Sequence, residues 1–109
     1  MDHPGLAIEV HRTPADVVLS LAGEIDMLTA PRLTAVVNEI LADAPPRVVL
    51  DMADVTFCDS QGLGTLVVLS RRATTVGSPL VLTNVGDHLL RVLDITGLRS
   101  ALMLSSPAR

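Results

Sequence analysis

A chain of 109 residues accommodates one compact domain and not two. Apolar residues make up 49 % of it, which excludes extended disorder, and a single aromatic, Phe57, leaves no platform for stacking bases or sugars. The 8 basic residues, all arginine, face 12 acids for a formal charge of -4, the wrong sign for a phosphate-backbone footprint, so nucleic acid is not an expected partner.

The opening residues Met1 to Leu6 carry Asp2 and Pro4 where a secretion signal needs a basic region and then an apolar run, so none is expected and a cytoplasmic, reducing setting fits. Leu6, Ile8 and Val10 alternate with Ala7, Glu9 and His11, the period of a strand wetted on one side. A turn over Thr13 to Asp16 leads into Val17-Val18-Leu19-Ser20-Leu21-Ala22, a more buried strand ending at Gly23. The two strands are close enough in sequence to pair as an antiparallel hairpin. Thr29-Ala30-Pro31-Arg32-Leu33 opens a helix, with Thr29 as N-cap and Pro31 in the first turn, where a missing N–H costs nothing. Leu33, Val36, Val37, Ile40 and Leu41 share its apolar face, and Pro45-Pro46 ends it. Arg47 to Asp51 follows as the apolar run of a central parallel strand.

Ser60 to about Thr75 predicts a second helix, with Leu63, Leu66, Val67 and Ser70 on one face and Arg71 and Arg72 solvating its C-terminal end. Its apolar stretch, Leu63 to Leu69, gives way at once to Ser70 and the two arginines, far short of the roughly 20 residues a membrane span needs. The mean hydropathy of +0.49 therefore belongs to a core and not to a membrane. Gly77 and Pro79 close the helix, Leu80 to Thr83 reads as a short strand, and Asp87 to Thr96 as a third helix stopped by Gly97. A last short strand around Leu102 to Leu104 precedes a polar tail, Ser105 to Arg109, expected to fray. The order β-β-α-β-α-β-α-β predicts an α/β fold: a mixed, mainly parallel sheet whose right-handed crossovers stack the helices on one face. Residues 1–109 form a single domain with its core over about 6–104.

The informative stretch runs from Asp51 through Met52, Asp54, Phe57, Cys58, Asp59, Ser60, Gln61 and Gly62 to Gly64. It leaves a buried strand and enters a helix, which in an open α/β sheet is the carboxyl edge where sites form. Two glycines so early in a helix cost about 1 kcal/mol each relative to alanine. They either bare the helix start for the close approach of another molecule or mark tight packing beneath an Asp59 or Ser60 cap. The pattern alone leaves both open.

Asp59-Ser60-Gln61-Gly62-Leu63-Gly64, preceded by the strand Val48 to Asp51, resembles the D-S-x-G-L-G signature of STAS domains, the anti-sigma factor antagonists. Leu21-Ala22-Gly23-Glu24-Ile25-Asp26-Met27 is similar to the family's second-strand segment ending in G-E-[IL]-D, and Thr29 to Leu33 to the helix start that follows. The resemblance covers roughly Leu6 to Leu104. It implies a switch: Ser60 is phosphorylated by an ATP-binding anti-sigma factor that is also a serine kinase, the unphosphorylated form binds that factor and frees the sigma factor, and a metal-dependent serine phosphatase resets it. Asp26 maps to the acidic residue beside the acceptor, and Asp59, Gln61, Gly62 and Gly64 join it as partner-binding positions. Gln61 stands where many members carry a second Ser or Thr, which leaves one acceptor. Such a domain is a substrate and a ligand, with no cofactor and no catalysis. A STAS scaffold, a transporter-associated module and a nucleotide- or lipid-binding domain are the alternatives.

Other chemistries fit less well. A serine nucleophile elbow needs Gly two residues before the serine, and Cys58 stands there. His3, His11 and His88 have no metal-ligand spacing with each other or with Cys58, so no metal is expected. Asp51 and Asp54 read as solvated acids at a strand exit. A lone cysteine forms no internal disulfide, and Cys58 is drawn two ways, since Asp59 raises a thiol pKa and a helix N-terminus lowers it.

Overall fold

The computed structural model of the protein describes residues 5–105. Strands β1 (Leu6–Arg12) and β2 (Val17–Ile25) form an antiparallel hairpin, to which β3 (Val48–Cys58), β4 (Leu80–Thr83) and β5 (Met103–Ser105) add in chain order, each parallel to the strand before it. Helices α1 (Ala30–Leu41), α2 (Ser60–Thr75) and α3 (Asp87–Thr96) occupy the three crossovers, and a single 3-10 turn, Arg99–Ala101, leads into β5. The strand order runs one way, so right-handed crossovers return every helix to the same face.

Burial follows that arrangement. Val17, Leu19 and Leu21 of β2, Val48, Leu50 and Met52 of β3, and Leu80 and Leu82 of β4 pack into one cluster with Leu33, Val37 and Ile40 of α1, Leu66, Leu69 and Ala73 of α2, and Leu93 of α3. With no aromatic in it, this core is filled by aliphatic side chains, mostly Leu with Val and Ile, packed against the pleated surface of the sheet. The alternate strand positions face the other way. There Val18, Val49, Val81 and Met103 lie in register as an apolar row, beside a polar row of Ser20, Asp51, Thr83 and Ser105.

The structure corrects several expectations. β2 continues through Gly23 to Ile25, and β3 continues to Cys58 in place of ending at Asp51. The two strands sustain each other beyond β4's last residue, Thr83, by register shifts between Ser20 and Ala22 and between Gly23 and Glu24. Gly23 makes the second shift possible: its φ is +118°, and a Cβ there would fall onto the Gly5 carbonyl. Asp51 and Asp54 are therefore strand residues and not turn formers. Asp51 Oδ1 accepts from the Ala53 N–H and from Nδ2 of Asn84, each at 3.0 Å. Thr29 stands at the start of α1 but does not cap it, since its backbone is already helical and its hydroxyl is engaged behind it. The last strand begins one residue later than expected, and of the tail expected to fray only Ser105 falls within the described residues.

Candidate functional site

The carboxyl edge of β2 and β3 carries the helix start that the sequence singles out. Ile25 ends β2 beside Cys58, the last residue of β3, and its carbonyl accepts from the Asp59 N–H at 3.1 Å. Asp59 then takes an extended backbone and caps α2: its Oδ1 accepts from the Gly62 N–H at 2.7 Å, and its carbonyl accepts from the Leu63 N–H at 2.8 Å. Gly62 is buried directly over Ile25, and a Cβ at this position would drive into the Ile25 carbonyl. That is the packing reading of the first glycine.

Ser60 is the first residue of α2 and is exposed, and among the described residues its hydroxyl has no hydrogen-bond partner. It lies at the positive end of a 16-residue helix, where a negative group is favoured by the dipole and by free N–H groups. Gln61 and Gly64 are exposed on the same side. With Thr34 of α1, and with Thr65 and Val68 further along α2, Ser60, Gln61 and Gly64 line an open groove of about 310 Å³ between the two helices.

Asp26 sits in the loop that follows Ile25, so the bond from Ile25 to Asp59 brings it to the same edge as Ser60. Its Oδ1 accepts from the N–H groups of Leu28 and Thr29, both at 3.0 Å. In return, the buried Thr29 hydroxyl accepts from the Asp26 N–H at 2.9 Å and donates to the Glu24 carbonyl at 2.9 Å. Two polar side chains thus close a four-residue loop from both ends, which is a structural task for Asp26 beside any contact it makes. The loop holds Met27 and Leu28 out in solvent, 62 % and 83 % exposed, and Phe57 is 49 % exposed on the neighbouring strand end. Exposed apolar side chains on a braced loop are what a protein interface anchors on. Sequence reasoning gave no site role to Met27, Leu28 or Thr34, and read Thr29 only as a helix cap; the adjacent pair Met27-Leu28 between two polar turn residues was the available signal.

Acids predominate at the carboxyl edge, where Arg32 at the start of α1 also stands, and arginines at the opposite edge, where they pair with Asp16, Asp43 and Asp94. The carboxyl edge holds Glu24, Asp26, Asp54, Asp59 and Asp87, whereas Arg12, Arg47 and Arg99 stand at the opposite edge, where Arg47 bonds Asp16 at 3.0 Å. Cys58 is half-buried, and burial together with the adjacent Asp59 carboxylate pushes its thiol from 9.0 up to about 11. Burial and Asp59 act in the same direction, so the thiol is protonated and poorly nucleophilic at neutral pH. It lines a second, small hollow of about 70 Å³ with Met52, Val55, His88 and Leu89. Among the described residues, no group of three or more His, Cys, Asp or Glu side chains is placed to hold a metal ion, and no helix is long and apolar enough to cross a membrane.

A hairpin-led, mainly parallel five-stranded sheet, covered on one face by three helices and presenting an unpaired serine at the Gly-flanked start of the second, defines a STAS domain. The chain belongs to that family: the family model described as "Mlab, STAS domain" matches residues 8–105. It is 32 % identical over 99 residues to the anti-sigma-B factor antagonist of Bacillus subtilis, covering 91 % of this chain and 90 % of the relative. It also superimposes on the crystal structure of an anti-sigma factor antagonist from Mycobacterium paratuberculosis with a TM-score of 0.82 and 29 % identity, covering 99 % of this chain and 92 % of that one. The Bacillus cell fate determinant SpoIIAA in its phosphorylated form, at 24 % identity and a TM-score of 0.70 over 91 % of each chain, shares the fold.

Proposed function

We propose that the protein is an anti-sigma factor antagonist that works by partner switching. In its unphosphorylated form it binds an anti-sigma factor and releases the sigma factor; phosphorylation of Ser60 ends that binding. The observation that carries the reading is the Ser60 hydroxyl, exposed and unpaired at the start of α2 in a chain whose relatives are named anti-sigma factor antagonists. The anti-sigma factor is the serine kinase, a serine phosphatase restores the hydroxyl, and the setting is the cytoplasm. The domain itself is substrate and ligand, not catalyst.

Ser60, Asp59, Gln61, Gly64 and Asp26 form the partner face, with Met27 and Leu28 as its apolar anchors. Gly62 contributes from beneath, by letting α2 sit on Ile25. A phosphate adds about -1.5 to -2 charge at pH 7, and the helix dipole lets the fold carry it. The partner face is another matter. A partner carboxylate about 6 Å away meets each unit of added charge at a cost of roughly 2.8 kcal/mol with an effective dielectric of 20. About 2.7 kcal/mol is already a hundredfold in affinity.

Calorimetric titration of wild type, Ser60→Ala and Ser60→Asp against a purified ATP-binding anti-sigma factor of the same cell tests the switch. Wild type and Ser60→Ala bind alike without ATP, Ser60→Asp does not bind, and only wild type loses binding when ATP is added. Equal affinities for all three, or phosphate recovered on Thr56, Thr65 or Ser70, would refute the assignment.

A further inference from the structure

Gly62 and Gly64 lie two positions apart on α2 and have opposite surroundings. A side chain at Gly62 would collide with the main chain of Ile25, whereas a Cβ at Gly64 would meet nothing within 4 Å. Gly64 also has no left-handed backbone to excuse it, since its φ lies outside the positive range. Glycine is the poorest helix former after proline, so this position gives up helix stability with no return inside the described fold. The return has to come from outside the chain.

Gly64 lies in the groove between α1 and α2, with Thr34 across from it, Ser60 at the N-terminal end and the half-exposed Val68 one turn further on. The Thr65 hydroxyl is turned back onto the Gln61 carbonyl at 2.9 Å. The lining contains no charged side chain, so nothing there would hold a small anionic or cationic ligand. What it offers is uncovered helix backbone, continuous with the Ser60 face. Bare backbone of this kind admits another main chain to a distance that any side chain would forbid.

We infer that Gly64 is a steric window: a main-chain segment of the anti-sigma factor crosses α2 at this residue, and the missing side chain seats the partner against Ser60. This rests on the partner-switching reading above, and it adds what that reading lacks, a contact that selects by shape and not by charge. It also predicts an unusual pairing of effects, because filling the window improves the helix while it obstructs the partner.

The full-length chain and its Gly64→Ala and Gly64→Leu variants, with Ser60→Asp alongside, are compared by thermal denaturation and by calorimetric titration against each purified ATP-binding anti-sigma factor of the same cell, without ATP. Gly64→Ala is expected to melt a few degrees above wild type and to bind about tenfold more weakly; Gly64→Leu is expected to melt no lower than wild type and to lose binding. Wild-type affinity in Gly64→Leu, with binding lost in Ser60→Asp, would overturn the window and leave the switch standing. No complex with any such factor, or equal affinities for wild type and Ser60→Asp, would overturn the switch and the window with it. A lowered melting temperature in Gly64→Ala would show that the fold itself needs the glycine, and would also overturn the inference.

Discussion

Asp59 holds the helix start on which Ser60 is presented, and two substitutions separate what its shape does from what its charge does. Its Oδ1 accepts from the half-buried Gly62 N–H at 2.7 Å, a short, charge-assisted cap on a helix whose next residue, Ser60, is the proposed acceptor. Asp59→Ala deletes the acceptor. Losing an N-cap costs about 0.5–2 kcal/mol, and leaving the N–H group unpaired in a partly buried position puts this one near 2 kcal/mol. For a domain of this size each kcal/mol moves the melting temperature by roughly 4–8 °C, so the loss is expected to be about 8 °C or more. Asp59→Asn keeps an oxygen in the same place and removes only the charge, whose interaction with the helix dipole is worth about 0.3–1 kcal/mol. Its melting temperature should fall by no more than about half as much. Thermal unfolding followed by circular dichroism at low ionic strength reads both variants. An Asp59→Ala protein that melts with wild type, or an Asp59→Asn protein as unstable as Asp59→Ala, would refute the cap as the element holding Ser60 in place.

Gly62→Ala is expected to destabilise the domain by about 1–3 kcal/mol or to prevent folding, because the added methyl lands on the Ile25 carbonyl and not on a side chain that can swing away; urea denaturation reads it, and wild-type stability would refute the packing account. Ser78 is fully buried in the turn between α2 and β4 and its hydroxyl has no partner among the described residues, so Ser78→Ala should leave the urea midpoint unchanged or raise it by up to about 1 kcal/mol equivalent, and a clear loss would mean that the hydroxyl is bonded. Cys58 should react slowly with iodoacetamide at pH 8 and rapidly once the chain is unfolded in urea. Because its pKa is raised in the folded state, the stability it contributes is present below its ordinary value of 9.0 and is lost as pH rises toward about 11; stability that increases over that window in wild type but not in Cys58→Ala would contradict the assignment. Asp16 has the opposite sign: hydrogen bonds from Arg47 and Thr13 hold its carboxyl below the usual range, so its contribution is present above the ordinary carboxylate pKa and fades as pH falls through the lowered one, a loss that Asp16→Asn should not show on acid titration.

Much of this architecture is written in local pattern. The bounds of α2, β4 and α3 follow from apolar spacing, from the Asp59 cap and from Gly97, which ends α3 in the left-handed conformation that favours glycine. What pattern does not carry is the support one segment gives another. The stretch from Met52 to Cys58 lacks the clean alternation or continuous apolar run of a strand and is mostly exposed, yet it is a strand, because β2 runs beside it and absorbs two register shifts. Thr29 has the residue type of an N-cap, and its hydroxyl is instead committed to the loop behind it, where Asp26 and Glu24 supply partners that are visible only once the loop has closed.

The two glycines of the helix start make the same point about the site. In sequence they are equivalent: both sit in the first turns of a helix, both weaken it, and both read equally as packing or as approach. In the fold Gly62 takes the packing reading, and Gly64 is left open for the approach inferred above. Gly62 faces inward because three residues carry the helix from Asp59 back over Ile25; Gly64 is rotated two further residues around the axis and faces the groove. The first glycine is explained by a carbonyl oxygen in β2, a long-range neighbour that no local window contains. At the second a side chain would meet nothing within 4 Å, an openness that no local window of sequence shows. On the inference drawn above, a residue that weakens its helix where a side chain would have open space is kept for what the fold meets. In this domain the open side of that residue is the side on which Ser60 presents its hydroxyl.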